Sequence, residues 1–342
     1  MASAREDFDS SGPFNLTAVD WKDPNHRRSV AASLVQGVYV LEKDRQLKRQ
    51  GLESLASRWW GFFHFQLVEP LVDNVDLSIF GAIYEFKHAD KHGCSTEGGP
   101  RFVIAFRGTI RKPDSFSRDL HLDLQFIQNG LHQSSRFEIA IQTVRKVVAA
   151  VGGQGVWLAG HSLGSAMAML AGKTMAKTAI FLEAFLFNPP FISAPVEKIK
   201  HKKLKHGIRI ANSFVTAGLA IAVKGFQQHG KSEDPFAALS AWFPCLFVNP
   251  ADPICSEYVG YFEHRKKMEE IGVGGIGRLA TQHSIGGLIL GAVGKGSEAL
   301  HLIPSANLTV NLCNFPGFKH AHGIHQWWRS DLCLRSNIYE YR

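Results

Sequence analysis

The stretch Gly155–Lys173, "GVWLAGHSLGSAMAMLAGK", decides how the rest of the chain is to be read. Ser162 stands between Gly160 and Gly164, so the pattern is G-x-S-x-G. In a chain of 342 residues with 32 glycines that pattern alone says little. Its context says more. The apolar run "VWLA" (Val156–Ala159) reads as a short buried strand, and "SAMAMLAGKTMAK" after the motif is rich in small and helix-forming residues. Strand, then G-x-S-x-G, then helix is the order a nucleophile elbow requires. The turn is so tight that the residues flanking the serine must be small, and the helix N-terminus aims unpaired N–H groups at the place where an oxyanion forms. Ser162 is therefore the candidate nucleophile. The plainer reading is a glycine loop capping a helix.

Outward from the elbow the same alternation continues. Ser135–Val151 places apolar residues at helical spacing behind a serine suited to an N-cap. "LEAFLFNPP" (Leu182–Pro190) and "CLFVNPADP" (Cys245–Pro253) read as buried strands stopped by prolines, and "SANLTVNLCNFP" (Ser305–Pro316) as the last strand. "SIFGAIYEF" (Ser78–Phe86) and "RFVIAFRGT" (Arg101–Thr109), joined by the turn-rich Lys87–Pro100, suggest an antiparallel pair. Arg27–Gln50 reads as a helix. The expectation is an α/β fold with a central, mostly parallel sheet flanked by helices. No linker divides the chain, so 1–342 is expected to be a single domain. Within it 1–77 forms an N-terminal helical extension, and 194–243 and 271–304 are insertions or a lid near the site.

Composition bounds the alternatives. Hydrophobic residues are 45% and charged residues 20%, ordinary for a globular protein with a sizeable core. Five scattered cysteines form no C-x-x-C pair, which suits a reducing compartment and argues against a disulfide framework or a zinc site. The first residues, "MASAREDFDSSGPFN", carry no apolar signal region, and the runs Phe214–Val223 and Ile285–Val293 are too short to span a bilayer, so a cytoplasmic location is expected. The net charge is +8, part of it in "KIKHKKLKHGIR" (Lys198–Arg209). A solvated face accounts for that run, and peripheral contact with an anionic membrane is the sharper alternative. No RNP motif, zinc finger or basic helix running into heptads points to nucleic acid.

A serine hydroxyl needs a base, and the base needs a carboxylate to orient it. Asp252 lies just past the strand-like "CLFVN", at the strand end where α/β folds gather catalytic groups. Glu257 and Asp234 are the fallbacks. Of 16 histidines, His320, His322 and His325 cluster past the last expected strand and are favoured over His283 and His301. The three lack a carboxylate or cysteine neighbour of metal-ligand spacing. No metal or organic cofactor is implied.

Three blocks resemble the class 3 lipases, fungal-type α/β-hydrolases with plant members: "FVIAFRGT" (Phe102–Thr109), "LAGHSLGSAMAMLAG" (Leu158–Gly172) and "HGIHQWW" (His322–Trp328). The whole chain also resembles plant proteins labelled GDSL esterase/lipase, although no G-D-S-L string occurs in it. The resemblance implies an α/β-hydrolase fold and selects His322 from its cluster, because the family's histidine is followed five residues on by an aromatic. It also implies that the N–H groups of Thr109 and Leu163 form the oxyanion hole. "IRKPDSFSRDLHLDL" lacks the tryptophan that often follows the family's oxyanion loop. The expected function is a serine carboxylic-ester hydrolase, a lipase or esterase acting on lipid or small esters through Ser162, Asp252 and His322. The alternatives are an acyltransferase and a catalytically silent scaffold that binds a lipid or a protein.

Overall fold

The computed structural model describes residues 16, 18–87, 98–110, 134–191, 235–270, 301–314 and 317–341. The basic run 198–209, the apolar runs 214–223 and 285–293, and most of the expected insertions 194–243 and 271–304 lie outside the described residues, as do Asp234 and His283.

The described chain runs α1 (Pro24–Gln46), α2 (Ser57–Gly61), β1 (Phe65–Val72), β2 (Ile79–Phe86), β3 (Phe102–Phe106), α3 (Ser135–Val151), β4 (Val156–His161), α4 (Leu163–Ala176), β5 (Glu183–Phe187), α5 (Pro235–Leu239), β6 (Cys245–Val248), α6 (Glu257–Glu270), β7 (Ala306–Asn311), α7 (Phe318–His322), a 3-10 helix (Ile324–Trp328) and β8 (Leu334–Tyr339). All eight strands join one sheet in sequence order. β3 to β7 are mutually parallel, whereas β1, β2 and β8 add on antiparallel at the two edges.

Sequential order has a physical consequence. Right-handed crossovers that all step in one direction put their helices on one face of the sheet. The two cores divide accordingly. Ile104, Phe106, Leu158, Leu186, Leu246 and Val248 point toward α3, α4 and α6. Their strand neighbours Val103, Ala105, Trp157, Ala159, Phe185 and Phe247 point the other way, where among the described residues no crossover helix packs. That second face is covered by α1 and the C-terminal 3-10 helix. α1 suits the task. Pro24 opens it, the Asp23 carboxylate caps it by accepting the Asn25 N–H at 2.7 Å, and Val30, Leu34, Val35 and Val38 are fully buried. Each of these apolar side chains contributes roughly 1.5–3 kcal/mol by leaving water.

Two expectations need correction. The segment 1–77 is not helical throughout, because Phe65–Val72 is a strand paired with β2. Ser305–Pro316 holds a strand but not the last one, since Leu334–Tyr339 pairs with it antiparallel.

Candidate active site

β4 delivers Ser162 at its carboxyl end, and α4 begins at the next residue. Ser162 has φ 54° and ψ −123°, a left-handed conformation that costs a non-glycine residue about 1–3 kcal/mol and persists only where its surroundings enforce it. Those surroundings are backbone. The Ser162 N–H donates to the Phe187 carbonyl at 3.0 Å, at the end of β5. A Cβ on Gly160 would collide with the Gly164 carbonyl, and one on Gly164 with the Phe106 carbonyl of β3. Both glycines of the motif are therefore required by close approach of main chain. Gly108 is a third case, since its Cβ would stand 3.0 Å from the Cβ of Ser162. The loop carrying Thr109 thus lies directly against the elbow. Thr109 itself is exposed, and Leu163 is buried as the first residue of α4.

Asp252 follows β6 in a turn and is fully buried. Its Oδ1 accepts the Ile254 N–H at 3.0 Å. Its Oδ2 accepts from Asn188 Nδ2 at 2.7 Å, from the Cys255 thiol at 3.2 Å and from His322 Nδ1 at 2.8 Å. Burial pushes this carboxyl up, but the adjacent His322 and the donated hydrogen bonds outweigh it and hold the group below the ordinary carboxylate value. The Cys255 thiol is driven well above its usual value by burial and by the Asp252 charge, so it serves as a donor and not as a thiolate.

His322 ends α7, and three separate fastenings hold its segment. Gln326 donates to the carbonyls of Ala321 and Gly323, while its Oε1 accepts from Asn249 past β6 and from Asn311 at the end of β7. Trp327 Nε1 donates to Asn188 Oδ1 at 2.6 Å. From α1, the buried Arg28 donates through Nε to the Trp327 carbonyl at 2.8 Å. Of the three clustered histidines, His322 is the one that bonds Asp252. His320 is exposed, and His325, packed edge-on against it, has its pKa lowered by burial and by that neighbour. The fallback Glu257 is buried at the start of α6, and His301 packs on Phe191.

His161, immediately before Ser162, connects elbow and histidine. Its Nε2 lies 2.7 Å from the His322 carbonyl, and the two rings are 4.9 Å apart. Burial, helped by the neighbouring His322, lowers its pKa to about 3, so it stays neutral and is too weakly basic to serve as the general base. Among the described residues no hydrogen bond joins the Ser162 hydroxyl to His322; such bonds are often loose before substrate binds. Asn188, Cys255 and His161 went unrecognised in the sequence, and so did Tyr39, which bonds His161 at 2.8 Å. Only Asn188 carried a signal, its place before two prolines at the end of a strand. Among the described residues no group of three or more His, Cys, Asp or Glu side chains is arranged to hold a metal, and no helix is long and apolar enough to cross a membrane.

Residues 103–204 match the family model for lipase (class 3), and a curated relative is 58% identical over 100% of both chains. The chain belongs to the class 3 lipase family and is a carboxylic-ester hydrolase. That relative is the GDSL esterase/lipase At4g10955 of Arabidopsis thaliana, aligned over 353 residues. A solved lipase from Rhizopus microsporus var. chinensis aligns with 51% of this chain and 60% of its own, at 15% identity and a TM-score of 0.29.

Proposed function

We propose that the protein hydrolyses acyl esters of lipids by way of a covalent acyl-enzyme formed on Ser162. The observation that carries this reading is the buried Asp252–His322 pair, tied through His161 to a strained serine. With Nδ1–H donated to Asp252, the lone pair of His322 is left on Nε2, the tautomer a general base needs. His322 takes the Ser162 proton as Oγ attacks the ester carbonyl, and returns it to the departing alcohol. Water then repeats the sequence and releases the acid. Asp252 stays ionised and stabilises the imidazolium. The N–H groups of Thr109 and Leu163 receive the oxyanion. Leu163 suits that role as the first residue of a helix, whose N–H groups have no partner within the helix. In this reading 1–342 forms one domain, with 194–243 and 271–304 as its insertions. The basic run Lys198–Arg209 would bring the protein to anionic lipid surfaces.

The test is a fluorophosphonate probe on the folded protein, with Ser162→Ala as control, beside a panel of p-nitrophenyl esters and glycerolipids. Labelling and hydrolysis that both vanish in Ser162→Ala are expected. Absence of labelling in the folded wild type refutes the proposal. Acyl transfer to an added alcohol that outpaces hydrolysis would replace it with a transferase.

A further inference from the structure

The oxyanion loop, the elbow and the His322 segment come from chain positions far apart, yet one side chain from α1 stands among all three. The Gly108 N–H donates to the Tyr39 hydroxyl oxygen at 2.7 Å. That hydroxyl is 2.8 Å from His161 Nδ1, and His161 Nε2 is 2.7 Å from the His322 carbonyl oxygen. The direction of every proton follows from elementary constraints. A carbonyl oxygen only accepts, so His161 must carry its proton on Nε2. A neutral imidazole has one N–H, so Nδ1 is an acceptor and the Tyr39 O–H donates to it. The phenol oxygen then has a free lone pair for Gly108. Each group is used once in each capacity and none is left over.

We propose that Tyr39 is a positioning residue for the reaction, its hydroxyl fixing the oxyanion loop through Gly108 and the backbone of the general base through His161. The inference rests on the active-site assignment made above. It also explains which amide is free to serve the oxyanion. The Gly108 N–H is committed to Tyr39, so the next amide along, that of Thr109, is the one left for substrate. The same helix holds the loop from its other side. Arg107 donates through Nη1 to the Gly108 carbonyl at 2.7 Å and through Nε to the Ile79 carbonyl at 2.6 Å. Glu42, one turn beyond Tyr39, accepts the Ile79 N–H at 2.8 Å. Gly108 is thus gripped at both its N–H and its C=O. A Cβ there would stand 2.7 Å from the Tyr39 hydroxyl oxygen, so the contact also demands glycine.

Tyr39→Phe, His161→Asn and the double variant, assayed on a p-nitrophenyl ester, test this. Losing an oxyanion donor outright costs about 10²–10³ in rate, so loosening one should cost less. Tyr39→Phe is expected to lower kcat about tenfold with KM held within twofold. The double variant should be no slower than the slower single variant, because residues acting as a unit are not additive. A kcat within twofold of wild type, a loss confined to KM, or losses that multiply in the double variant would each overturn the proposal. Nitrogen-15 NMR of histidine-labelled wild type gives a second reading that does not depend on any variant folding. It should find His161 protonated on Nε2 at neutral pH, and a proton on Nδ1 would refute the relay. Failure of the wild type to hydrolyse any ester would sink the active-site assignment instead, and the tautomer would still decide whether the relay exists.

Discussion

Replacing Asn188 with alanine should damage this protein more than any other polar truncation near the site. Asn188 is fully buried at the end of β5, with φ 47°. Its amide is completely used: Nδ2 donates to Asp252 Oδ2 at 2.7 Å and to the Ala321 carbonyl at 3.0 Å, and Oδ1 accepts from Trp327 Nε1 at 2.6 Å. Truncation orphans a buried indole N–H, at about 1–3 kcal/mol, and removes a hydrogen bond to a carboxylate worth about 1.5–3 kcal/mol, while the Ala321 carbonyl keeps Gln326 as its donor. Alanine also tolerates the left-handed region less well than asparagine, by roughly 1 kcal/mol. One side chain cannot deliver the full sum, because its partners relax together. About 4 kcal/mol is expected, a large part of the roughly 5–15 kcal/mol that holds a native protein folded. Urea unfolding followed by tryptophan fluorescence measures it, with an unchanged slope required for the comparison. Asn188→Asp separates the contributions. It keeps the acceptor for Trp327 and the tolerance of positive φ, but sets a second carboxyl against Asp252. That introduced group titrates above its unfolded value, so its contribution is favourable at low pH and lost as pH rises. Its stability deficit should therefore be larger at pH 8 than at pH 5. A loss below about 1 kcal/mol for Asn188→Ala, or an aspartate variant whose deficit ignores pH, would refute the reasoning.

Gly160→Ala should fail to form the elbow, because its new methyl meets the Gly164 main chain, so no fluorophosphonate labelling is expected even where soluble protein is recovered. Recovery of labelling at wild-type rate would show that the turn is not closed by that contact. Acid should destabilise the protein through two buried histidines, His161 and His301, whose pKa values burial lowers to about 3. Unfolded, each binds a proton near 6.5, so between that value and about 3 the unfolded state holds more protons and stability falls as pH falls. From pH 7 to pH 5 the loss should be about 2 kcal/mol per histidine, read by urea unfolding at the two pH values; stability that is flat or higher at pH 5 contradicts it.

The strands from β2 to β7 were legible because strands buried on both faces read as unbroken apolar runs, whereas α5 and α6 were not read from the sequence. Between them, Ser135–Val151 announced itself by helical spacing behind the Ser134 cap, which accepts the Phe137 N–H at 3.2 Å. The edges escaped notice for the opposite reason. β1 carries Glu69 and Pro70 in its exposed middle, tolerable only at a sheet edge, and β8 exposes four successive residues, so neither shows an apolar run or a clean alternation. At the site, Asp252 was selected by its place after a strand and His322 by resemblance, and a hydrogen bond joins them. Tyr39 could not be found this way. A tyrosine in an amphipathic helix looks like any other, and its meaning depends on which face of the sheet that helix covers, a property of strand order and not of local pattern. His161 was hidden in plain view at a variable position of the G-x-S-x-G motif.

Because α1 and the 3-10 helix share the face that the described crossover helices leave bare, the earliest described helix waits for one of the latest described ones. At about 5–20 residues per second of synthesis, the interval between completing Gln46 and adding Trp328 is roughly 15–60 s. During that time Trp59, whose ring will rest 5.1 Å from that of Trp328, has no such neighbour, and the Arg28 guanidinium has no Trp327 carbonyl to bond. The nascent chain therefore carries an unsealed, aromatic-rich sheet surface until the 3-10 helix has been added, and the same closing segment brings His322. Sealing the core and acquiring the proposed base are one event.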